Sequence, residues 1–519
     1  MKPVTSKLDS QFMLGSSGDC RKPLPPNSSG TDMMNLIVKL VRGGGVTLLL
    51  LMSNSASCQE QLDLESAVKI AEKTVRFYRE HVGVQGGYIF GVSDDLTQRE
   101  GENRVGPREA WIEPPATPAV GMVYLRGWQM TRLSIFRDAM LETADALVRG
   151  QLESGGWANN IEYDPLLRPK YAYRVDHRTS LDQRFNRTTF DDDKSQSALK
   201  FLMLLDQELI FENASLHEAA MIALDAFQKA QYPNGAWPQQ YSEFPEPNEY
   251  PVTKARFPQS WSREFPKIKY SQFYTLNDNT ICDLIDLMLT AYFVYEDDRW
   301  LTSAKHGGDF LLLAQLPEPQ PGWAQQYNRD MEPVWARKFE PPAISGSESQ
   351  QVMRTLLTLY DVTGEEKYLR PLPRVIEYYR SLQLDDGQLA RFYEIGTDKP
   401  LYFTKDYKLV YRDNDLPTHY GFKVSSKIDS IERQYQKLKE RGASHSSVLQ
   451  NPKLPRLDVS LRKSAERIVG QLDNRGAWVE DGELKTYPKD EQSGRIISTQ
   501  TYLKNLSTLI DFINASLEK

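Results

Sequence analysis

The chain has 519 residues, of which 40% are hydrophobic and 26% are charged, as is usual for a globular protein. Its formal net charge of −7 excludes the broad basic surface that wholesale nucleic-acid binding requires, so we expect no nucleic-acid partner. The three cysteines, Cys20, Cys58 and Cys282, form no CxxC motif and no Cys/His cluster, which argues against a structural zinc site or a disulfide framework.

A secretory signal is predicted near the N-terminus. Lys39 and Arg42 precede the apolar run 46–52, and small residues follow up to Cys58. Basic, apolar and then small is the order of a secretory signal. We therefore expect export to the periplasm, the cell surface or the medium. Lipidation of Cys58 is an alternative, but Ser55 stands where such motifs usually carry an aliphatic residue.

The predicted signal also divides the chain. The polar stretch 1–32 is rich in Ser, Pro and Gly and is unusual in front of a signal, so we predict that translation starts at Met33 or Met34. We treat residues 1–58 as leader plus signal and residues 59–519 as one catalytic domain. No other run approaches the ~18 apolar residues that span a bilayer, so we predict no transmembrane helix.

The rest of the sequence repeats a short motif. Related turns begin at five glutamines: Gln151, Gln231, Gln315, Gln383 and Gln471. They are spaced by 80, 84, 68 and 88 residues, and four of the five turns end in Gly and Trp or in Gly, Ala and Trp. A repeat of this kind indicates one supersecondary unit used several times.

Each repeat predicts two helices. Amphipathic stretches at helical spacing precede the glutamines, over 133–149, 215–230, 299–314, 366–382 and 458–470. More apolar stretches occupy 118–130, 193–207, 278–295, 348–362 and 499–517. One amphipathic and one apolar helix per repeat predict an outer and an inner layer, and hence an all-α fold, the (α/α) toroid. An open solenoid is the alternative, but long decorated loops are unusual for one.

Polar segments open three of the predicted inner helices. They are Phe190-Asp-Asp-Asp-Lys194, Asn277-Asp-Asn279 and Ser345-Gly-Ser-Glu-Ser349. In a regular toroid these loops emerge on one face, and gathered hard oxygen ligands suit Ca²⁺. Asp278 or Glu348 alone is more often a helix cap than a ligand. Three consecutive aspartates exceed what a cap requires, which favours a functional role for Asp191 and Asp192.

Four sequence blocks carry a family resemblance. They are Asn234-Gly-Ala-Trp-Pro-Gln-Gln-Tyr241, Tyr274-Thr-Leu-Asn-Asp-Asn-Thr280, Trp335-Ala-Arg-Lys-Phe-Glu-Pro-Pro342 with Ser345-Gly-Ser-Glu-Ser349, and Arg391-Phe-Tyr-Glu-Ile-Gly-Thr-Asp-Lys-Pro400. Together with Asp191 they resemble the signature blocks of the pectate lyases of polysaccharide lyase family 10, over roughly residues 190 to 410. The resemblance implies a helical toroid, calcium dependence, a polygalacturonate substrate and a catalytic arginine.

The resemblance also implies roles for individual residues. It makes Arg337 the base and Arg391 a binder of galacturonate carboxylates, with Lys338 as the rival base. The expected metal ligands are Asp191, Asp278 and Glu348, and the expected cofactor is Ca²⁺. The remaining expected substrate contacts are Asp192, Asn279, Lys399, Lys405, Trp237 and Tyr241, the last two as a sugar platform.

This sequence departs from the family pattern in several places. Asp192 stands where we expect Asn, and Tyr327 where the family often has an acid. Lys399 and Lys405 stand where Arg is common, and residues 245–269 look inserted. These changes leave subsite preference and calcium stoichiometry open.

The expected chemistry is removal of the C5 hydrogen of galacturonate. This hydrogen is α to a carboxylate, and bound Ca²⁺ would stabilise the charge that develops. An ordinary arginine stays protonated, so Arg337 needs a nearby cation and a high pH to act as a base. Without the family resemblance, an ion pair with Glu340 or Glu348 would be the preferred role for Arg337.

Other functions remain open at this stage. Asp191 and Asp278 could instead be the carboxylate pair of an inverting glycoside hydrolase acting on uronic acid sugars. The Asp191-Asp-Asp193 run on a helical fold could suggest terpenoid cyclisation. A non-catalytic pectin-binding homologue is the third alternative. We expect a monomer.

Overall fold

The computed structural model describes residues 61–176, 184–270, 273–446 and 454–518. The predicted leader, the signal and Cys20 and Cys58 lie outside the described residues. The described part belongs to one unit, Glu60–Lys519, in which Cys282 is a buried free thiol. Within the described residues no helix is both long enough and apolar enough to cross a membrane.

Twelve α-helices account for most of the described secondary structure. They are α1 Leu64–Phe77, α2 Thr117–Thr131, α3 Ser134–Gly150, α4 Lys194–Glu208, α5 Ala214–Lys229, α6 Thr280–Tyr295, α7 Asp298–Leu313, α8 Glu348–Thr363, α9 Leu372–Ser381, α10 Ile428–Arg441, α11 Val459–Gly470 and α12 Thr499–Leu517. The repeat pattern predicted ten of them, most to within two residues at each end. The repeat pattern predicted neither α1 nor α10, and the charged stretch 423–453 predicts only a helix and a loop without bounds.

The helices form an inner and an outer layer. Inner helices α12, α2, α4, α6 and α8 pack side by side in that order, and α2, α4, α6 and α12 each pack against an outer helix that is next to them in the chain, namely α3, α5, α7 and α11. Helix α6 is apolar around most of its surface because it is buried on several sides, whereas α9 carries one apolar stripe. Helix α12 packs against α1 and α2, which brings the end of the domain back to its start. The predicted all-α toroid is confirmed.

Short strands hold the loops in place. They are β1 Gly91–Ser93, β2 Arg99–Glu100, β3 Glu109–Trp111, β4 Asn160–Glu162, β5 Thr188–Thr189, β6 Gln240–Tyr241, β7 Tyr274–Thr275, β8 Gln326–Tyr327, β9 Ile344–Ser345, β10 Leu389–Ala390, β11 Phe392–Tyr393, β12 Pro400–Phe403, β13 Leu409–Val410, β14 Lys423–Val424, β15 Glu480–Asp481 and β16 Arg495–Ser498.

The strand pairing follows the repeat. The strand before each inner helix pairs antiparallel with a strand that follows the next outer helix: β3 with β4, β5 with β6, β7 with β8, and β9 with β11. Strand β16, before α12, pairs in the same way with β1, which follows α1. The ladders therefore tie the start of every one of these inner helices to one loop face of the toroid.

The repeated tryptophans are structural. The indole Nε1 groups of Trp157, Trp237, Trp323 and Trp478 donate to carbonyl oxygens in the preceding outer helix, at 2.8, 2.8, 2.7 and 2.8 Å. The repeated glutamines link neighbouring hairpins: Gln151 Nε2 donates to Ala219 O in α5 at 2.8 Å. The sequence repeat thus encodes the joint between one hairpin and the next.

One predicted helix is wrong at its start. The pattern predicts a helix over 366–382, but Glu366–Tyr368 forms a single 3₁₀ turn and α9 begins only at Leu372. Pro371 caps α9 and Pro373 lies in its first turn. Proline has no N–H to donate to an earlier turn, so a helix can begin at these residues but cannot run through them.

Candidate active site

Helices α4 and α6 begin with the same unusual backbone. Asp192 and Asp193 have φ of 48° and 56°, and the equivalent Asp278 and Asn279 have φ of 49° and 60°. Asp and Asn tolerate the left-handed region better than other residues with a side chain. The left-handed backbone therefore explains in part why Asp and Asn occur at these positions. The same turn places Asp192 and Asp278 on the loop face.

Three carboxylates meet at these two helix starts. Asp191, Asp192 and Asp278 each offer an oxygen that lies within 4.8 Å of the others, and all three residues are half-buried. Burial, together with the charges of Asp192 and Asp191, raises the pKa of Asp278 to about 7. Burial and the charge of Asp192 likewise raise the pKa of Asp191. Protons or a cation must relieve this repulsion, and an all-oxygen donor set of this size fits Ca²⁺.

Two repeated glutamines orient the helix starts. Gln239 Nε2 donates to Asp191 Oδ1 at 2.7 Å. At the equivalent place in the next repeat, Gln325 Nε2 donates to Asn277 Oδ1 and, at 2.8 Å, to Glu340 Oε1. Sequence reasoning assigned neither glutamine a role, although the Gln-Gln-Tyr that follows both Trp237 and Trp323 is a signal that could have found them.

Arg337 lies beside the acidic cluster but is paired with Glu340. Its Nε donates to Glu340 Oε2 at 2.8 Å and its Nη2 to Oε1 at 2.5 Å, while 37% of its side chain stays exposed. Burial alone would lower the pKa of Arg337, but Glu340 outweighs it and raises the pKa. The charge of Arg337 in turn acts to lower the pKa values of Asp191 and Asp278, so the guanidinium and the cluster share one neighbourhood.

Glu348, the third predicted metal ligand, lies outside the group formed by Asp191, Asp192 and Asp278, although its charge acts on Asp278. Its buried carboxylate accepts from Ser345 Oγ and from Arg391 Nη1, the latter at 3.2 Å. Arg391 also donates to Gly421 O at 2.6 Å and stacks on the Tyr420 ring, 4.6 Å from its centroid. Glu348 therefore holds Arg391 in place, since a buried carboxylate needs such a partner.

Tyr420 joins the two arginine pairs. Its hydroxyl donates to Glu340 Oε1 at 3.0 Å, and Arg391 Nη1 lies 3.4 Å from the same hydroxyl. The Arg337 guanidinium carbon lies 5.6 Å from the Tyr420 ring centroid. This residue was not predicted from the sequence, because its stretch carries none of the blocks that resemble the family.

The predicted lysines lie around this centre. Lys338 Nζ lies 3.5 Å from the Tyr407 ring centroid, and Lys399 Nζ lies 5.5 Å from that of Tyr411. Lys405 is exposed and its Nζ lies 3.6 Å from Asp415. Asn279 is exposed next to Asp278. Among the described residues no hydrogen bond connects Lys338, Lys399 or Lys405 to the acidic cluster, whereas Lys194 Nζ donates to Asp192 Oδ2 at 3.2 Å.

The predicted sugar platform is wrong. Trp237 is fully buried and donates to Phe227 O, and Tyr241 is 5% exposed and donates to Ser154 O at 3.0 Å. Neither ring can offer a face to a ligand. Both residues belong to the joint between hairpins, whose burial the sequence motif alone did not reveal.

The inserted segment 245–269 runs across the loop face. Trp335 Nε1 donates to Ser262 O at 2.7 Å, and Arg263 pairs with Glu394 at 2.5 Å. Tyr270, just beyond the insertion, is half-buried where the charges of Arg337, Glu340, Asp191 and Asp278 all act on its hydroxyl. The insertion therefore reaches from the third and fourth repeats back to the acidic cluster.

A further carboxylate pair flanks the cluster. Glu113 precedes the first inner helix, α2, and Glu102 follows β2. With Asp192 they form a second group whose oxygens lie within 4.8 Å of one another. Sequence reasoning missed Glu113, although it stands before α2 as Asp192 and Asp278 stand before α4 and α6.

Taken together, the fold and the site define a toroid whose loop face can hold a divalent cation beside an anionic ligand. Residues 151–386 match the family model described as pectic acid lyase. The match covers less than half of the chain, agrees with the resemblance drawn from the sequence blocks and indicates a polysaccharide lyase. No curated protein sequence matches the chain significantly.

Several solved structures are similar to the chain. A variant of the family 10 polysaccharide lyase from Cellvibrio cellulosa in complex with trigalacturonic acid is 19% identical, with 62% of this chain and 98% of that chain covered and a TM-score of 0.43. Another structure, described as a family 10 polysaccharide lyase from Cellvibrio cellulosa, is 20% identical, with 61% of this chain and 95% of that chain covered and a TM-score of 0.43. An α-mannanase of glycoside hydrolase family 76 from Bacteroides thetaiotaomicron is 12% identical, with 87% and 96% covered and a TM-score of 0.38.

Proposed function

We propose that the protein is a pectate lyase that cleaves α-1,4-polygalacturonate by calcium-assisted β-elimination and releases 4,5-unsaturated oligogalacturonides. The observation that carries the proposal is the meeting of Asp191, Asp192 and Asp278 beside Arg337, inside the region that matches the pectic acid lyase model. An acidic protein can hold a polyanion where a cleft gathers basic side chains and a metal ion, and here Arg337 acts on carboxylates that would hold such an ion.

Asp191, Asp192 and Asp278 would hold the calcium ion. When bound, the ion supplies Lewis-acid stabilisation of the negative charge that the substrate carboxylate gains on deprotonation. The cluster suits this role because burial and the charge of Asp192 raise the pKa of both Asp191 and Asp278, so a cation would favour their ionised forms. Glu348 needs no calcium ion for this purpose, because Arg391 already compensates its charge.

Arg391 is the proposed carboxylate binder. Glu348, Gly421 and Tyr420 fix its guanidinium, and 17% of its side chain stays exposed. A planar guanidinium held this way can meet a carboxylate in a defined orientation. Lys399 and Lys405 are proposed to add longer-range attraction for neighbouring galacturonate units, because both ammonium groups are exposed on the β12–β13 hairpin and the loop before it.

Arg337 is the proposed base that accepts the C5 proton. In the free protein Glu340 holds its guanidinium in the charged form, so the neutral base forms only under alkaline conditions or when substrate and cation displace that pairing. Lys338 is the rival base. Its ammonium faces the Tyr407 ring, so it would have to turn away from that ring to reach a substrate at the acidic cluster.

The alternative functions fit the geometry less well. The carboxylate pair of an inverting glycoside hydrolase is usually about 6.5–9.5 Å apart, to admit a water molecule. Asp191 and Asp278 have oxygens within 4.8 Å. Terpenoid cyclisation would use the consecutive aspartates together, but Asp193 lies with Asp286 and Lys200, whose charges act on it, and outside the cluster.

The direct test is a reaction with polygalacturonate. A lyase makes 4,5-unsaturated ends that absorb in the ultraviolet, and removal of calcium by a chelator should abolish their formation until calcium is restored. Products without ultraviolet absorption would indicate a hydrolase. Binding of polygalacturonate without any cleavage, unchanged in Arg337→Ala, would indicate a non-catalytic binding protein.

A further inference from the structure

Lys194 is placed where a lysine is costly. It is the first residue of α4, and its side chain is 1% exposed. The N-terminus of a helix carries a partial positive charge, so a cation there is repelled. A buried ammonium also loses its hydration and is retained only when carboxylates compensate for that loss.

The compensation comes from three carboxylates. Lys194 Nζ lies 3.0 Å from Glu113 Oε2, 3.2 Å from Asp192 Oδ2 and 3.7 Å from Glu102 Oε2. Three carboxylates this close to one buried ammonium compensate for its lost hydration and hold it in place as a cation.

The fold does not require a lysine at this position. The equivalent first residue of α6 is Thr280, whose hydroxyl donates to Asn277 O at 3.0 Å. Both helix starts have the same left-handed backbone, so a neutral residue supports this turn equally well. What differs is the surroundings, because only α4 begins beside Glu102 and Glu113.

We propose that Lys194 is a positioning residue that acts as a tethered cation: it occupies the space between Glu102, Glu113 and Asp192 that a second divalent cation would otherwise fill. The oxygens of these three carboxylates lie within 4.8 Å of one another, as do those of Asp191, Asp192 and Asp278, and Asp192 belongs to both groups. Lys194 Nζ contacts Asp192 Oδ2, so it holds the residue that the two groups share. Lys194 thereby restricts this part of the site to a single divalent cation. This inference rests on the proposed role of Asp191, Asp192 and Asp278 as calcium ligands.

The test is the number of calcium ions bound, measured by isothermal titration calorimetry on the full chain. Lys194→Thr copies the residue of the next repeat and should bind one more ion than the unsubstituted protein. Lys194→Thr combined with Glu113→Gln should lose that additional ion, because the vacated group then lacks one carboxylate. Lys194→Arg keeps the charge and should not gain an ion. Lys200→Ala, on the same helix but without an ion pair among the described residues, is the matched control.

An unchanged number of ions in folded Lys194→Thr overturns the proposal. The measured quantity is the difference in the number of bound calcium ions between Lys194→Thr and the unsubstituted protein. If the unsubstituted protein binds no calcium, that result contradicts the proposed function, but the difference still tests the role of Lys194. Thermal unfolding supplies a second readout if the variant is too unstable for titration. Calcium should then raise the melting temperature of Lys194→Thr more than that of the unsubstituted protein, and an equal rise also overturns the proposal.

Discussion

Arg337 and Glu340 form a bidentate ion pair, with nitrogen–oxygen distances of 2.8 and 2.5 Å, beside the carboxylates of the candidate calcium site. Glu340 is 1% exposed and also accepts hydrogen bonds from Gln325 and Tyr420. The network fixes the position of the guanidinium and keeps it charged. The ion pair with Glu340 therefore positions Arg337 but also keeps it protonated. The pH should determine how much of the neutral, basic form is present.

Glu340→Gln should separate the two effects. Loss of the Glu340 charge lowers the pKa of Arg337, so the acid limb of the pH–rate profile should move to lower pH by roughly one unit or more. The measurement is the initial rate of unsaturated-product formation across the alkaline range. Lys338→Gln is the control and should leave that limb in place; if it abolishes activity while Glu340→Gln moves nothing, Lys338 is the base.

Asp278→Asn should weaken calcium binding. Removing one of three charged ligands should cost at least about 1.4 kcal/mol, or tenfold in Kd, measured by calorimetric titration. Asp283→Asn is the matched control, since Asp283 lies in the first turn of the same helix but in neither carboxylate group. Equal calcium affinity in the two variants would remove Asp278 from the metal site.

Calcium affinity should fall as the pH falls through about 7. The pKa of Asp278 is raised to about 7 in the metal-free protein, so calcium must displace a proton at or below that pH. Titrations in buffers of different ionisation enthalpy would count the protons released. A pH-independent affinity between pH 6 and 8 would contradict this origin of the raised pKa.

Stability without calcium should follow the opposite trend. The folded pKa of Asp278 lies above its ordinary value of 3.8, so the protonated carboxyl favours the folded state. This contribution is fully present near pH 4 and is lost as pH rises to about 7. Chemical denaturation in the presence of a chelator should show a smaller loss over that range in Asp278→Asn than in the unsubstituted protein.

Trp237→Ala should destabilise the protein without a specific effect on the substrate. Loss of a fully buried tryptophan typically costs about 3–5 kcal/mol, and here it also removes the hydrogen bond to Phe227 O. Trp237→Phe should cost less. Denaturant unfolding measures both costs. A Trp237 variant with normal stability but reduced affinity for polygalacturonate would support the sugar platform that the structure argues against.

Much of the fold could be predicted because the repeat specifies it locally. Each outer helix ends at a glutamine turn, and the tryptophan after the turn fills the joint, so inner and outer helices follow from spacing alone. The start of α9 was missed because helical spacing continues through Pro371 and Pro373, where the backbone cannot. Helix α1 was missed because no glutamine turn with a tryptophan follows it.

The site was predictable only in part, for a different reason. Asp192 and Asp278 stand at equivalent places in consecutive repeats, with Asp191 next to Asp192, and the repeat brings such places together. Glu348 also opens an inner helix, but Ser345 and Arg391 satisfy it locally. The sequence spacing does not distinguish a carboxylate that pairs with an arginine from one that faces other carboxylates. That distinction depends on side chains from distant loops.

The most direct test of the account is the position of the bound ion. Crystals grown with calcium and a short oligogalacturonate should show an anomalous scattering peak bounded by Asp191, Asp192 and Asp278, with a substrate carboxylate on the side of Arg337. A calcium ion found elsewhere on the protein, with these three carboxylates free of metal, would contradict the proposed elimination at this site.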